Sequence, residues 1–318
     1  MSAAPFPTLE SLRGGGKRAL AHALALIETA RGTPHLVALL DAAAAEPRAF
    51  VTGLTGPPGV GKSTLTNALI RGWRQVGESV GIIAVDPSSR RTGGALLGDR
   101  ARISSDPDDQ GIFIRSMAAR DRLGGLSDQT IAAVVLMRAL FDHVLVESVG
   151  IGQSEADISF ATDSVVLCIQ PGSGDSLQFM KAGIMELPDL VAITKADMGP
   201  LARRAMADVE GALTLVTLGN SNWAPPVLLV SATTGQGLED LSAAMDRHRL
   251  HLAQGGRLAA RRAAQQHVWI EQTIRAAFGA EGWDAVRLSA LRGGTATPFQ
   301  LEQRLLGELR ARLQTANA

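Results

Sequence analysis

The sequence predicts an α/β fold: a mostly parallel sheet covered by helices, with helical extensions at both ends. Three observations carry this reading. Between Ala49 and about residue 252, short runs rich in Val and Ile alternate with stretches of helical periodicity, the pattern of a parallel sheet with crossover helices. The runs FVTGLTG, VGIIAVD, GIFIRSM, DHVLVES, SVVLCIQ, LVAITK and PVLLVSA are apolar almost throughout, as strands buried on both faces require. The flanking parts are Ala- and Leu-rich and lack such runs.

Residues 9–45 have the periodicity of short helices, punctuated by Gly14 to Gly16 and by Gly32-Thr33-Pro34. Helices are expected between the strands at Lys62 to Gln75, Ser127 to Phe141 and Leu201 to Val216. Beyond Leu252 two more are expected, at 257–278 and 299–314, with Trp269, Ile270, Ile274 and Phe278 at helical spacing. Too little chain remains there for an independent core, so this arm packs on the main domain or on a second copy. The chain thus divides into an N-terminal helical extension (1–48), a main α/β domain (49–252) and a C-terminal helical arm (253–318).

Of the 318 residues, 46% are apolar, which is a globular composition; aromatics are 4% with no Tyr, so the core is aliphatic. The 31 basic and 31 acidic residues cancel, leaving no electrostatic footprint for nucleic acid. No secretory leader and no uninterrupted apolar run long enough for a membrane span is visible, so a soluble cytoplasmic setting is the default expectation. The single cysteine, Cys168, lies in an apolar run and reads as a buried strand thiol.

GPPGVGKST follows the first apolar run and opens a helix at Lys62, the context that a phosphate-binding loop needs. Gly56, Gly59, Val60 and Gly61 would curl backbone amides around phosphate oxygens at a helix N-terminus. Lys62 would reach the β and γ phosphates, with Ser63 on magnesium and Thr64 beside it.

VDPSSRRTGGALLGD then brackets a glycine-rich run with Asp86 and Asp99, and Glu147 ends another apolar run. Parallel strands bring such ends to the rim that carries the phosphate loop. Magnesium takes hard oxygen ligands, so Asp86, Asp99 and Glu147 are candidates for its shell, directly or through water. In ESVGIGQSE, Gly150 offers an amide to a γ-phosphate, and Gln153 could orient water or be an exposed loop amide.

The base-reading residues come last. Asp197 in TKAD can accept from both N1–H and the exocyclic amine of guanine, a donor pair that adenine lacks on that edge. Lys195 can lie along the base plane. In SATTGQG, Ser231, Ala232 and Thr233 follow a strand, and the Ala232 amide could donate to guanine O6.

Together GPPGVGKST, VDPSSRRTGGALLGDRARI, VESVGIGQSE, PGSGDSLQFMKAGIMEL and ITKAD, in this order across about residues 51–235, resemble the MeaB/ArgK family of GTPases associated with methylmalonyl-CoA mutase. Its human relative is the methylmalonic aciduria type A protein. The resemblance implies a P-loop NTPase fold with a SIMIBI-type G domain, GTP/GDP and Mg2+ as ligands, and metal carboxylates at Asp86, Asp99 and Glu147. It implies a third switch at Pro171 to Gly183, in which Asp175, Gln178 and Lys181 match positions linked to partner-stimulated hydrolysis. Lys181 could equally be a solvated helix lysine. The implied activity is hydrolysis of GTP to GDP and phosphate, slow alone and stimulated by the partner. The implied role is chaperone of an adenosylcobalamin-dependent acyl-CoA mutase, with the chain as a homodimer and no nucleic-acid or membrane partner. One departure stands out: Thr194 occupies a position where the family commonly has Asn.

Three other readings are weighed. A nickel-delivery GTPase of the same superfamily needs a metal-capture cluster. His22, His35, His143 and His267 are scattered, and His248 with His251 reads as a solvated helix face. A small-molecule kinase needs an acceptor pocket and a base that the sequence does not display. A membrane-docked targeting GTPase needs a basic or amphipathic anchor.

Overall fold

In a computed structural model of the chain, the described residues are 6–86, 103, 106, 108–118, 126–148, 157–172, 184–216, 222–291 and 297–316. The N-terminal helices are α1 (Leu9–Gly14), α2 (Gly16–Thr29) and α3 (Pro34–Ala45). Then come β1 (Phe50–Thr55), α4 (Lys62–Gln75), β2 (Val80–Asp86), β3 (Ile112–Ala118), α5 (Asp128–Arg138) and β4 (His143–Glu147). The second half holds β5 (Ser164–Ile169), β6 (Leu190–Ile193), α6 (Pro200–Val216), β7 (Val227–Leu229), α7 (Leu238–Ala253), α8 (Arg257–Leu291) and α9 (Pro298–Ala316). Local chemistry sets several starts. Thr8 and Ser11 form a reciprocal capping box on α1, Pro34 opens α3, and the Ser127 hydroxyl accepts from Thr130 N–H at the start of α5.

The seven apolar runs are the seven strands, ordered β3-β2-β4-β1-β5-β6-β7, with every described pairing parallel. The chain winds to one side of β1 for β2 and β3 and to the other for β5 to β7, so the crevice at the carboxyl end of β1 is the topological switch point. Period-two alternation splits the strands between two cores. Val144 and Val146 of β4 face one core, and Leu145 between them faces the other.

The core on the first face is shared by both ends of the chain. Leu24 of α2 and Leu40 of α3 meet Leu136 of α5, Trp269 and Ile274 of α8, and Leu305 of α9. The C-terminal arm therefore packs on the main body. Two ion pairs fasten it: Arg262 bridges Asp163 through Nε at 2.7 Å and Nη2 at 2.6 Å, and Arg261 bridges Asp189 at 3.0 and 2.8 Å. Asp41, buried in α3, accepts from Phe299 N–H at 2.9 Å and Gln300 N–H at 3.2 Å, satisfying free donors at the start of α9. The helix expected at 257–278 ends where expected, at Gly279, whose φ of 73° and ψ of −173° are non-helical and open to glycine. A second helical stretch, not expected, follows this kink and runs to Leu291, so α8 is two helices in line of sequence.

The expected solvated face at His248 is overturned. His248 is 1% exposed: its Nδ1 meets Ser164 Oγ at 3.0 Å and its Nε2 faces Asp189 Oδ1 at 3.3 Å. His251 lies beside Trp223 at a ring separation of 5.1 Å. With Ser164 fully buried and Asp189 half-buried and paired to Arg261, the Ser–His–Asp row is a structural network. Burial above all, with help from Arg261 and His251, pushes the His248 pKa down to about 4, against the pull of Asp189. The folded state resists protonation that the unfolded chain accepts near its ordinary value of 6.5. Its contribution is therefore whole above that value and lost as pH falls toward 4, about 3 kcal/mol in all. His248→Asn is expected to flatten the decline of unfolding free energy between pH 7 and pH 4. Equal declines in both proteins, followed by urea titration, would exclude His248 as a source of acid sensitivity.

Cys168 is fully buried in β5, and burial pushes its thiol up to about 12, as the strand reading requires. Among the described residues no helix is long and apolar enough to cross a membrane.

Candidate nucleotide site at the phosphate loop

The loop from Gly56 to Gly61 joins β1 to α4 at the switch point. Gly56 has φ +133°, and a Cβ there would lie 2.2 Å from the Cys168 carbonyl oxygen. The loop can leave the sheet here only because nothing projects toward β5. At Gly59, by contrast, a Cβ would meet nothing within 4 Å, so that stretch of loop has open space in front of it. Val60 is wholly buried and pins the loop's middle. Lys62 folds back along the loop, its Nζ donating to Gly56 O at 2.7 Å and Pro57 O at 3.2 Å. Thr64 follows in the first turn of α4.

Below the loop, Ser63 Oγ donates to Glu147 Oε1 at 2.7 Å. Glu147 ends β4, is 2% exposed and accepts from Thr66 Oγ1 through its other oxygen at 2.9 Å. Thr66 was not anticipated. Its spacing of three from Ser63 on one helix face was the available signal. A hydroxyl and a carboxylate, both hard oxygen donors, at a helix N-terminus beside a phosphate loop fit Mg2+. Ala84 pairs with Glu147 in the sheet, so the chain leaves β2 at Asp86 two residues beyond that level. The Asp86 side chain lies outside the described residues, as do Asp99, Gly150, Gln153, Asp175, Gln178 and Lys181.

The base-reading segments are joined to this loop. Thr194 Oγ1 donates to Val60 O at 2.7 Å, and its N–H donates to Ile169 O at 2.8 Å. A hydroxyl thus provides the donor that ties the end of β6 to the phosphate loop. Lys195, with a left-handed backbone (φ 54°), reaches Gly59 O at 3.2 Å and Gln170 Oε1 at 2.5 Å. Asp197 is exposed in the short 3-10 turn Ala196–Met198, and Ala196 N–H bonds Val230 O at 3.1 Å. That bond draws the TKAD turn against the start of the second base-side turn. There Ser231 N–H donates to Gln236 O at 2.9 Å and Ser231 Oγ accepts from Thr234 N–H at 3.3 Å, leaving Ala232 half-buried and Thr233 exposed. Of the expected residues, the structure brings together the loop, Ser63, Glu147, Thr194 and Lys195.

Fold and loop together define a P-loop nucleotide-binding protein. A profile of the family described as Methylmalonyl Co-A mutase-associated GTPase MeaB matches residues 20–285. The chain belongs to this family. It is 40% identical over 262 residues to a putative GTPase of Pyrococcus horikoshii, covering 80% of each chain. It is 33% identical over 305 residues to the GTPase ArgK of Escherichia coli, covering 92% of each. The crystal structure of a LAO/AO transport system kinase superposes with a TM-score of 0.68 at 29% identity, covering 96% of each chain. Among the described residues no group of three or more His, Cys, Asp or Glu side chains comes together as a metal cluster.

Proposed function

We propose that this GTPase couples GTP binding and hydrolysis to cofactor loading and protection of an adenosylcobalamin-dependent acyl-CoA mutase of the methylmalonyl-CoA mutase type. The observation that carries the nucleotide half is the Ser63–Glu147 hydrogen bond at the start of α4, beneath the phosphate loop. The mutase half rests on family membership.

In this reading the amides of Gly59, Val60 and Gly61 cradle the phosphates and Lys62 spans β and γ, where charge builds as the bond breaks. Ser63 and Glu147, with Asp86 and Asp99, would hold Mg2+, which neutralises charge between the β and γ phosphates. Gly150 donates to the γ-phosphate and Gln153 orients the attacking water. Asp175, Gln178 and Lys181 answer the partner. Thr194 keeps the base side in register with the loop, and Ala232, flanked by Ser231 and Thr233, donates to guanine O6. Cytoplasmic location, homodimerisation through the arm at 253–318, and the divisions at 48/49 and 252/253 belong to the same reading.

Hydrolysis is expected to be slow alone and to rise at least about tenfold with purified methylmalonyl-CoA mutase from the same source. No rise, with intrinsic turnover intact, would reject this client. The name of the LAO/AO relative favours a second reading, phosphoryl transfer to an acceptor other than water. With γ-labelled GTP, label recovered wholly as inorganic phosphate excludes it.

Asp197→Asn is expected to lower the preference for GTP over xanthosine triphosphate at least about tenfold, because an amide can donate to the extra carbonyl of xanthine. Competition binding measures this. Full preference retained in the variant would refute the role of Asp197.

A further inference from the structure

At the amino end of β1, away from the phosphate loop, α5 and α8 leave a cavity of about 200 Å³ between them. Ile131, Val134 and Val135 form one wall, with Arg138 a turn further on. Arg262 and Trp269 of α8 line the opposite wall, while the exposed Ala259 and Ala263 stand at its mouth. The backbone of Arg138 is fixed, since its carbonyl accepts from Arg48 N–H at 2.9 Å and Ala49 N–H at 2.8 Å.

The polar groups of this cavity are unevenly used. Arg262 is matched by Asp163, and Gln265 Nε2 donates to the Ser159 and Thr162 carbonyls, both at 2.7 Å. Arg138 Nε and Trp269 Nε1 are out of water and have no hydrogen-bond partner among the described residues. Proteins pair nearly all such groups, and an unmet donor costs about 1–3 kcal/mol, more when charged. No carboxylate among the described residues lines the cavity. Both donors are covered, so what the cavity offers a ligand on this side is the Arg138 side chain, a cation, beside the amides of Gln265 and Gln266 and otherwise apolar groups. The complement is one negative charge on an apolar body. Phosphate carries too much charge and too little apolar surface for these walls. A dry cavity of about 150 Å³ holds benzene, which sets the size.

We propose that this cavity binds a small monocarboxylate with an apolar body about the size of benzoate or hexanoate, its carboxylate on Arg138 and its body against α5. Burial first, and then the neighbouring Arg262, pushes the Arg138 pKa down to about 10, against the pull of Asp163. A bound anion adds to that pull.

Isothermal titration of the full chain with hexanoate, benzoate and neutral hexan-1-ol tests this. Hexanoate or benzoate is expected to bind saturably at one site, with no saturable binding of hexan-1-ol. Arg138→Met is expected to weaken binding at least about tenfold, as loss of a charge-assisted pair does. Should that variant misfold, Ala263→Trp closes the mouth from an exposed position and is expected to weaken binding equally. Three results would overturn the proposal: no saturable binding of either carboxylate up to about 10 mM, a range that includes weak millimolar sites; undiminished binding in the variants; or binding of an acidic peptide alone.

Discussion

Lys62→Met is expected to lower GTP turnover by about 10²–10³, the loss that follows removal of one preorganised group from a developing charge. Lys62 is 7% exposed, and its Nζ donates to carbonyls of its own loop at Gly56 and Pro57. Its amino group therefore already lies at the loop, where phosphate oxygens can replace those carbonyls. The methionine variant keeps most of the stem, so unfolding in urea is expected to move by no more than about 1–2 kcal/mol. Turnover measured at saturating GTP decides the matter. A variant that folds and hydrolyses GTP at the original rate would remove Lys62 from the chemistry.

Asp163→Ala is expected to destabilise the protein by about 3–5 kcal/mol, the range for breaking a buried ion pair from one side. Asp163 is 1% exposed and takes three bonds: two from Arg262, and one from Val51 N–H at 2.9 Å. Its loss strands the amide at the start of β1 as well as the guanidinium from α8. Arg262→Met leaves the carboxylate buried and is expected to cost a similar amount. The double variant should cost less than the sum, since each single change already breaks the same pair. A urea-measured loss below about 1 kcal/mol for Asp163→Ala would show that this ion pair is not what holds α8.

Much of this architecture was legible because its determinants are local. The inner strands, buried on both faces, cannot hide as alternating patterns, and the phosphate loop carries its glycines, lysine and serine within nine residues. The buried face of α8 was visible in Trp269, Ile270 and Ile274, which are 4%, 2% and 0% exposed. What escaped depends on partners far along the chain. His248 continues the buried row Leu241, Ala244, Met245 and Leu252 on α7, but residue type outweighed spacing in the reading, and Ser164 and Asp189 lie more than fifty residues away. The Asp163–Arg262 clasp joins residues 99 apart. The stop at Gly279 was legible from the glycine itself, but the second helical stretch after it was not, since what holds it is Trp283 and Val286 in the core shared with distant helices. Thr194 looked deficient beside an asparagine, and only its 2.7 Å bond to Val60 O reveals that one hydroxyl hydrogen suffices. The Mg2+ candidates divide the same way: Glu147 is joined to Ser63, while Asp99 lies outside the described residues.

The cap that Asp41 places on α9 has a consequence for biosynthesis. The acceptor is made 258 residues before the Phe299 amide that it serves. At about 5–20 residues per second, a ribosome takes about 13–50 s to cover that distance. Throughout that interval Leu24, Leu36 and Leu40 lack the last helix that completes their shelter. The strands that carry the phosphate loop are all synthesised before α9 emerges, so the sheet is finished first, and α2 and α3, made before the sheet, are enclosed only after it.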